Sequence, residues 1–388
     1  MYQAFADLLF LGVRPGRCRA DIRIVFEKES IMNLRPVSAI VVLASLAGAA
    51  AAQTTAIVSG GRLTLTTTSA NQNVKVEMKE AVGVARVFGF SGIADGTTFS
   101  GLSGVTVETG AGNDTIEFDV ISTVSYDLRV SSGSGSLESQ TQWKILPSAS
   151  TVNANVTYAS VAGSLQKVGL TIDNEAANAA ISIGTGNASD VDAKILSDDP
   201  TAALTVSFHS RAAKTTLELV SAASTLNASI RGAHATSGSE VKYVLNQLRP
   251  AAVTLSQDVT LSAGDDKLES VLAAPGSRAM LLGTIRAGAG NDLILLENDT
   301  FSTVNGVTLN GGLGNDFLSN KTKGEFQLSQ SVGANIFGGP GDDILIQTTD
   351  TLIRGTGLPN DVQSIIDGGD GFDLFNAFGF IRNCEGRL

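Results

Sequence analysis

Four octets decide the reading of this chain: Ala287-Gly-Ala-Gly-Asn-Asp-Leu-Ile294, Gly311-Gly-Leu-Gly-Asn-Asp-Phe-Leu318, Gly338-Gly-Pro-Gly-Asp-Asp-Ile-Leu345 and Gly368-Gly-Asp-Gly-Phe-Asp-Leu-Phe375. Each has glycine at its second and fourth positions, aspartate at its sixth and an apolar residue at its eighth. Their aspartates, Asp292, Asp316, Asp343 and Asp373, follow one another at nearly even intervals. A fifth copy, Thr109-Gly-Ala-Gly-Asn-Asp-Thr-Ile116, stands far upstream with Asp114, and a weaker one, Leu261-Ser-Ala-Gly-Asp-Asp-Lys-Leu268, brings Asp266.

The residues around the octets say what the repeat is for. With one residue between it and each octet stands an apolar side chain: Val107, Val259, Ile285, Leu309, Ile336 and Ile366. The eighth positions are Ile116, Leu268, Ile294, Leu318, Leu345 and Phe375. If one octet marks each rung of a coil, stacking lines these residues into two inward ladders, each fully buried side chain contributing about 1.5 to 3 kcal/mol. Glycine at the second and fourth positions permits the positive φ that a sharp turn needs.

Elsewhere, runs such as Leu63-Thr-Leu-Thr66 and Val74-Lys-Val-Glu-Met78 alternate with period two, Gly and Asn punctuate the chain, and no helical periodicity shows after Gln53. The chain reads as all-β. Steps of about 26 residues back from Asp266 reach a faded copy at Gly184-Thr-Gly-Asn187 and a fainter one at Ser237-Gly-Ser239. From Asp114, similar steps reach Gly133-Ser-Gly135 and the neighbourhood of Gly163. A single-stranded parallel β-helix with about 26 residues per rung, spanning residues 53–388, is the expected fold, with the period sharpest from Asp266 onward.

The octet resembles the glycine- and aspartate-rich repeat of RTX-type (haemolysin-type) calcium-binding proteins, G-G-x-G-x-D-x-U-x. In that family the repeats follow every nine residues and hold calcium between turns; here they are dispersed, one loop per rung, and concentrated in residues 260–376. The resemblance implies Ca2+ as cofactor. The implied ligands are Asp114, Asp266, Asn291, Asp292, Asn315, Asp316, Asp342, Asp343, Asp370 and Asp373, with Gly290, Gly314, Gly341 and Gly371 letting backbone carbonyls converge. Phe372 breaks the pattern of the last copy, and Asp370 is the residue placed to compensate.

Distances agree with such a role. Rungs about 4.8 Å apart would place an ion about 2.4 Å from each of two stacked carboxylates, within the Ca–O range. Without a cation, two such charges repel by roughly 3 to 4 kcal/mol at an effective dielectric of about 20. The plainer reading is that Gly-Asn-Asp turns cap β-helix corners with no metal, since Asn and Asp favour turns by themselves. It suffices for the solitary Asp114 but leaves a repeated Asp before a fixed apolar position unexplained.

The N-terminal residues differ in kind. Met32-Asn-Leu-Arg-Pro, the apolar run Val37 to Ala50 and Ala50-Ala-Ala52 before Gln53 read as a secretory signal peptide over residues 32–52, with an apolar core too short to span a membrane. Residues 1–31 then read as upstream sequence from a misplaced start codon, the alternative being a long signal or an amphipathic leader. Removing residues 1–52, which hold six basic and four acidic side chains, takes the formal net charge from −11 to −13. Such a chain repels nucleic acid and anionic membranes and attracts cations. The mature chain is expected outside the cell or at its surface, with the periplasm left open and no membrane span. Cys384 is its lone cysteine, so no internal disulfide supports it.

Catalytic constellations are scarce. His209 and His234 read as strand or turn residues, and Tyr126, Trp143, Tyr158 and Tyr243 as dispersed packing residues. Three function classes stand: an exported, calcium-stabilised structural or binding protein that faces a surface polysaccharide or protein; a β-helix lyase or hydrolase acting on acidic polysaccharide, whose local basic candidates are Arg286, Lys321, Lys323 and Arg354; and an adhesin-like passenger.

Overall fold

The chain winds as one parallel coil, and the register between rungs sets its geometry. The computed structural model describes residues 54–388 except 69–70, 80–81, 161–164, 198–202, 235–237, 327–332, 354–363 and 378–379. The leader and signal-peptide readings, the echo near Gly163 and Arg354 lie outside the described residues. All described residues belong to one compact unit, 38–388.

Each rung contributes one strand to each of two parallel sheets. Sheet I takes the strand before each octet: Ala252–Thr260 pairs with the later half of Lys267–Ala289, placing Val259 beside Ile285, and Ile285 beside Leu309. Sheet II takes the strand after it, placing Val241 beside Leu268, then Ile294, Leu318, Leu345 and Phe375. Both expected ladders exist. Every member is buried except Phe375, which is partly buried against the core.

The coil reaches far upstream of the octets. Lys267 pairs with Glu240, Glu240 with Lys214 and Lys214 with Asp190, each step close to the spacing of the octets themselves. The period therefore survives where the octet has faded, because what sustains it is period-two burial within each strand. In Glu240–Gln247, Val241, Tyr243 and Leu245 face the core while Glu240 and Lys242 face solvent. Outward charges pair across rungs, Lys194 with Glu218 at 3.0 Å and Lys242 with Glu269 at 3.3 Å. Such exposed pairs add little stability, on the order of 0 to 1 kcal/mol each.

The first rung departs from the parallel pattern. Thr54–Ser59 folds back antiparallel on Arg62–Thr67, and Ala85–Phe88 lies antiparallel between Asn73–Met78 and Thr97–Phe99. This inserted hairpin makes the first step, from Arg62 to Gly104, much longer than those that follow. Gly60 and Gly61, both at positive φ, make the tight reversal possible. Among the described residues there is no helix long and apolar enough to cross a membrane, which leaves β-barrel spans unaddressed.

The aromatic residues serve packing. Tyr126 and Trp143 are buried with ring centroids 6.2 Å apart, and Tyr243 packs edge-on against Phe208 at 6.3 Å. His234 is buried with Nδ1 2.6 Å from the Ala212 carbonyl oxygen, and His209 lies within a strand of sheet I.

Candidate metal centre

The octet turns stack directly, and two hydrogen-bonded ladders run through them in opposite senses. The inner ladder uses the sixth position. Asp266 N–H donates to Asp292 Oδ1 (2.8 Å), Asp292 N–H to Asp316 Oδ1 (2.9 Å), Asp316 N–H to Asp343 Oδ1 (2.8 Å) and Asp343 N–H to Asp373 Oδ1 (2.8 Å). The outer ladder uses the exposed fifth position. Asn291 N–H donates to Asp265 Oδ1, Asn315 N–H to Asn291 Oδ1, Asp342 N–H to Asn315 Oδ1 and Phe372 N–H to Asp342 Oδ1, at 2.8 to 2.9 Å. Each turn thus clasps one neighbour with its fifth side chain and the other with its sixth. This is why both positions favour Asn or Asp, side chains short enough to reach a backbone N–H one rung away.

The Phe372 side chain cannot accept a hydrogen bond, so the outer ladder ends there. On the inner side, Asp373 N–H donates to Glu385 Oε2 at 2.8 Å, so a glutamate stands where the next aspartate would be. Asp370 is exposed, and its carbonyl accepts Gly341 N–H at 2.8 Å. The fourth-position glycines all adopt positive φ: Gly290 +141°, Gly314 +119°, Gly341 +146° and Gly371 +149°. A Cβ on any of them would strike the backbone of the rung before.

The second carboxylate oxygen separates these turns into two kinds. Oδ2 of Asp292, Asp316, Asp343 and Asp373 is buried and without a hydrogen-bond partner. Oδ2 of Asp266 instead accepts Ser262 N–H at 3.0 Å. The second octet position differs in step with this. Gly288, Gly312, Gly339 and Gly369 hold φ between +103° and +117° there, whereas Ser262 keeps an ordinary negative φ and turns its N–H onto the carboxylate. Gly110, in the solitary upstream octet, is not at positive φ either, and Asp114 Oδ1 accepts Gln72 N–H at 2.8 Å.

A further glycine shapes the orphaned oxygens' surroundings. A Cβ added to Gly311, Gly338 or Gly368, the first octet position, would collide with the Oδ2 of its own turn's aspartate. The same Cβ position lies 2.6 Å from the Gly338 carbonyl oxygen at Gly311, and 2.5 Å from the Gly368 carbonyl oxygen at Gly338; the Asn383 carbonyl takes this place for Gly368. In three successive rungs, then, a carboxylate oxygen and the next rung's carbonyl oxygen converge on one glycine. In the Asp292 turn that position is Ala287, whose methyl group is present and buried.

Buried acceptors placed together without a donor are electrostatically unhappy. Burial, opposed by the backbone hydrogen bond and reinforced by neighbouring carboxylates, pushes Asp316 up to about 7, and Asp292 and Asp343 to about 6; Asp373 is raised for the same reason. A proton or a cation is therefore held more favourably in this column than at an exposed aspartate. Among the described residues no three His, Cys, Asp or Glu side chains converge on one point, so side chains alone would not complete a cation's coordination here.

Glycines 311, 338 and 368 and the substitute Glu385 were not among the residues singled out from sequence. The glycines had a readable signal, since only these three copies begin with Gly. Glu385 had none, standing beyond Asp373 and outside any octet. Of the basic candidates for a polysaccharide groove, Lys321 and Lys323 do border a groove of about 150 Å3, shared with Glu297 and Asp299. Arg286 lies on the other sheet, before its octet. No protein-family model, curated protein or solved structure matches this chain.

Proposed function

We propose that this is an exported β-solenoid whose C-terminal rungs are held together by calcium, and that it acts as a rigid structural or binding scaffold outside the cell. The observation that carries the reading is the column of buried Oδ2 atoms without donors, three of which, on Asp316, Asp343 and Asp373, converge with a carbonyl oxygen of the next rung on a glycine that has no Cβ to displace them. Hard oxygen ligands, charged and neutral together, suit calcium. Asp316 with the Gly338 carbonyl, Asp343 with the Gly368 carbonyl and Asp373 with the Asn383 carbonyl would hold it. Bound calcium would supply charge neutralisation along the column, and water would complete the coordination of each ion.

The remaining residues do the scaffold's work without metal. Oδ1 atoms fix the rung-to-rung register through backbone N–H groups, and buried apolar ladders stand on either side of the turns. The groove beside Lys321 and Lys323 is bordered equally by carboxylates, so it does not favour an acidic polysaccharide. Isothermal titration with calcium tests the reading directly. Three ions per chain are expected, falling by one in each of Asp316→Asn and Asp343→Asn; no binding in the wild type would overturn it.

A further inference from the structure

The two outer faces of the middle rungs carry different chemistry. Sheet II presents charges that satisfy one another: Lys194 pairs with Glu218 at 3.0 Å, Lys214 with Glu240 at 3.8 Å and Lys242 with Glu269 at 3.3 Å, each across one rung. Sheet I presents few charges and leaves them unpaired. Among the described outward positions of its strands from Val152 to Asn310, the charged residues are Arg231, Arg278 and Arg286 and one acid, Asp258. The three arginines are exposed, and their guanidinium groups have no ion-pair or hydrogen-bond partner among the described residues. On a chain of net charge −11 this is a basic face. Register fixes its layout. Arg278 and Arg286 point outward from one strand, about 27 Å apart. Arg231 pairs with Asp258 and Asp258 with Thr284, which puts Arg231 two strands, about 10 Å, to the side of the Arg286 end. Between the cations stand Met280 and Leu282, 44 % and 38 % exposed, with Val304 beside Met280 on the next strand and Thr254 and Ser256 on the strand before.

We infer that this face of sheet I binds a linear polysaccharide whose sugars carry carboxylates. The inference rests on the reading of the chain as an extracellular binding scaffold, and names the face that binds and the ligand it takes. Charge complementarity selects the ligand. A guanidinium without a partner presents a planar fork that fits a carboxylate through two parallel hydrogen bonds. The spacing asks for sparse charge. Duplex DNA carries a phosphate about every 1.7 Å, and three arginines on an acidic chain answer too few of them. A sugar acid instead alternates its charge with hydroxyl groups, which Thr254, Ser256 and Thr284 match, and with apolar ring faces, which Met280, Leu282 and Val304 match. The ligand must be a polymer to reach from Arg278 to Arg286, since no single sugar spans about 27 Å.

Titration calorimetry of the full chain with a galacturonate decamer, at low salt and in chelator so that the sugar gathers no calcium, reads the binding. The expected result is binding that weakens at least tenfold when Arg231→Gln, Arg278→Gln and Arg286→Gln are combined, and stays within twofold when Lys194→Gln and Lys242→Gln are combined on sheet II. Because the three arginines are exposed, the triple variant should unfold at the wild-type temperature. It should also take up calcium with wild-type stoichiometry, so a failure to bind sugar and a failure to bind calcium are separate results. The methyl-esterified decamer, with the same rings and no charge, should not compete, and a polyaspartate decamer should bind at least tenfold more weakly. No binding of the galacturonate decamer overturns the inference. So does equal binding by the ester or by polyaspartate, an unchanged affinity in the triple variant, or an equal loss in the sheet II variant.

Discussion

The turn at Asp266 and the turns at Asp316, Asp343 and Asp373 have nearly the same sequence and opposite electrostatics. In the first, Ser262 keeps its backbone at negative φ and its N–H satisfies the carboxylate, so the turn is complete as it stands. In the others, a glycine at positive φ stands where Ser262 supplies that donor, and glycine at the first position leaves room for the orphaned oxygen itself. The backbone at the second octet position therefore differs between a corner whose carboxylate is satisfied and corners whose carboxylates favour a cation or a proton. The Asp292 turn lies between them, with an orphaned oxygen and an alanine where the space would be.

That comparison breaks most visibly at the first-position glycine. Gly338→Ala places a methyl group against Asp343 Oδ2 and the Gly368 carbonyl, and should cost about 1 to 3 kcal/mol while abolishing calcium binding at that turn. Chemical denaturation and titration calorimetry on the same variant check both effects.

Asp316→Asn separates charge from hydrogen bonding. The amide oxygen can still accept Asp292 N–H, and its NH2 can donate to the Gly338 carbonyl. In chelator the variant should gain about 0.5 to 1.5 kcal/mol, whereas in calcium it should be less stable than wild type. A loss of stability in both conditions would mean that the carboxylate is not under electrostatic stress.

Proton binding gives the next effect. The folded-state values of Asp292, Asp316 and Asp343 lie above the ordinary 3.8, at about 6, 7 and 6, so the folded state binds these protons more tightly than the unfolded chain does. The contribution is fully present below about pH 4 and is lost as pH rises through 6 and 7. In chelator, the unfolding midpoint should fall across that window, and calcium should remove the fall. A flat profile in chelator would place the carboxylates in a better-solvated setting.

The smallest effect belongs to the complete turn. Asp266→Asn sets an NH2 group against Ser262 N–H or leaves one donor unpaired, costing about 1 kcal/mol, with calcium stoichiometry unchanged. A lost calcium ion in this variant would erase the distinction between the two kinds of turn.

Much of this was legible in the residues. The period, the parallel coil and both apolar ladders follow from the spacing of apolar side chains such as Ile285, Leu309 and Ile336, because burial in a stacked coil is a local, repeated requirement. Where the octet faded, before Asp266, the coil persisted on alternation alone, as in Val241-Lys-Tyr243. The antiparallel cover over the first rung was not legible: Lys75 and Phe88 are paired only through a tertiary contact. Nor was the division of labour within each aspartate, since which oxygen meets an N–H varies with the φ of the residue at the second octet position. Glu385 substitutes for an aspartate through a shorter final turn and a longer side chain, a compensation visible only in three dimensions.

The most direct test of the central claim is thermal unfolding of the chain in millimolar calcium, in millimolar magnesium and in chelator. An ion held by the folded state alone stabilises it by about 2.7 kcal/mol at one hundred times its Kd, and several stacked ions add. The account predicts a large rise in midpoint with calcium, little with magnesium, and a rise of wild-type size in Asp266→Asn but a reduced one in Asp316→Asn and Asp343→Asn. The same midpoint in calcium and in chelator would contradict it, and would make every octet a corner of the kind seen at Asp266.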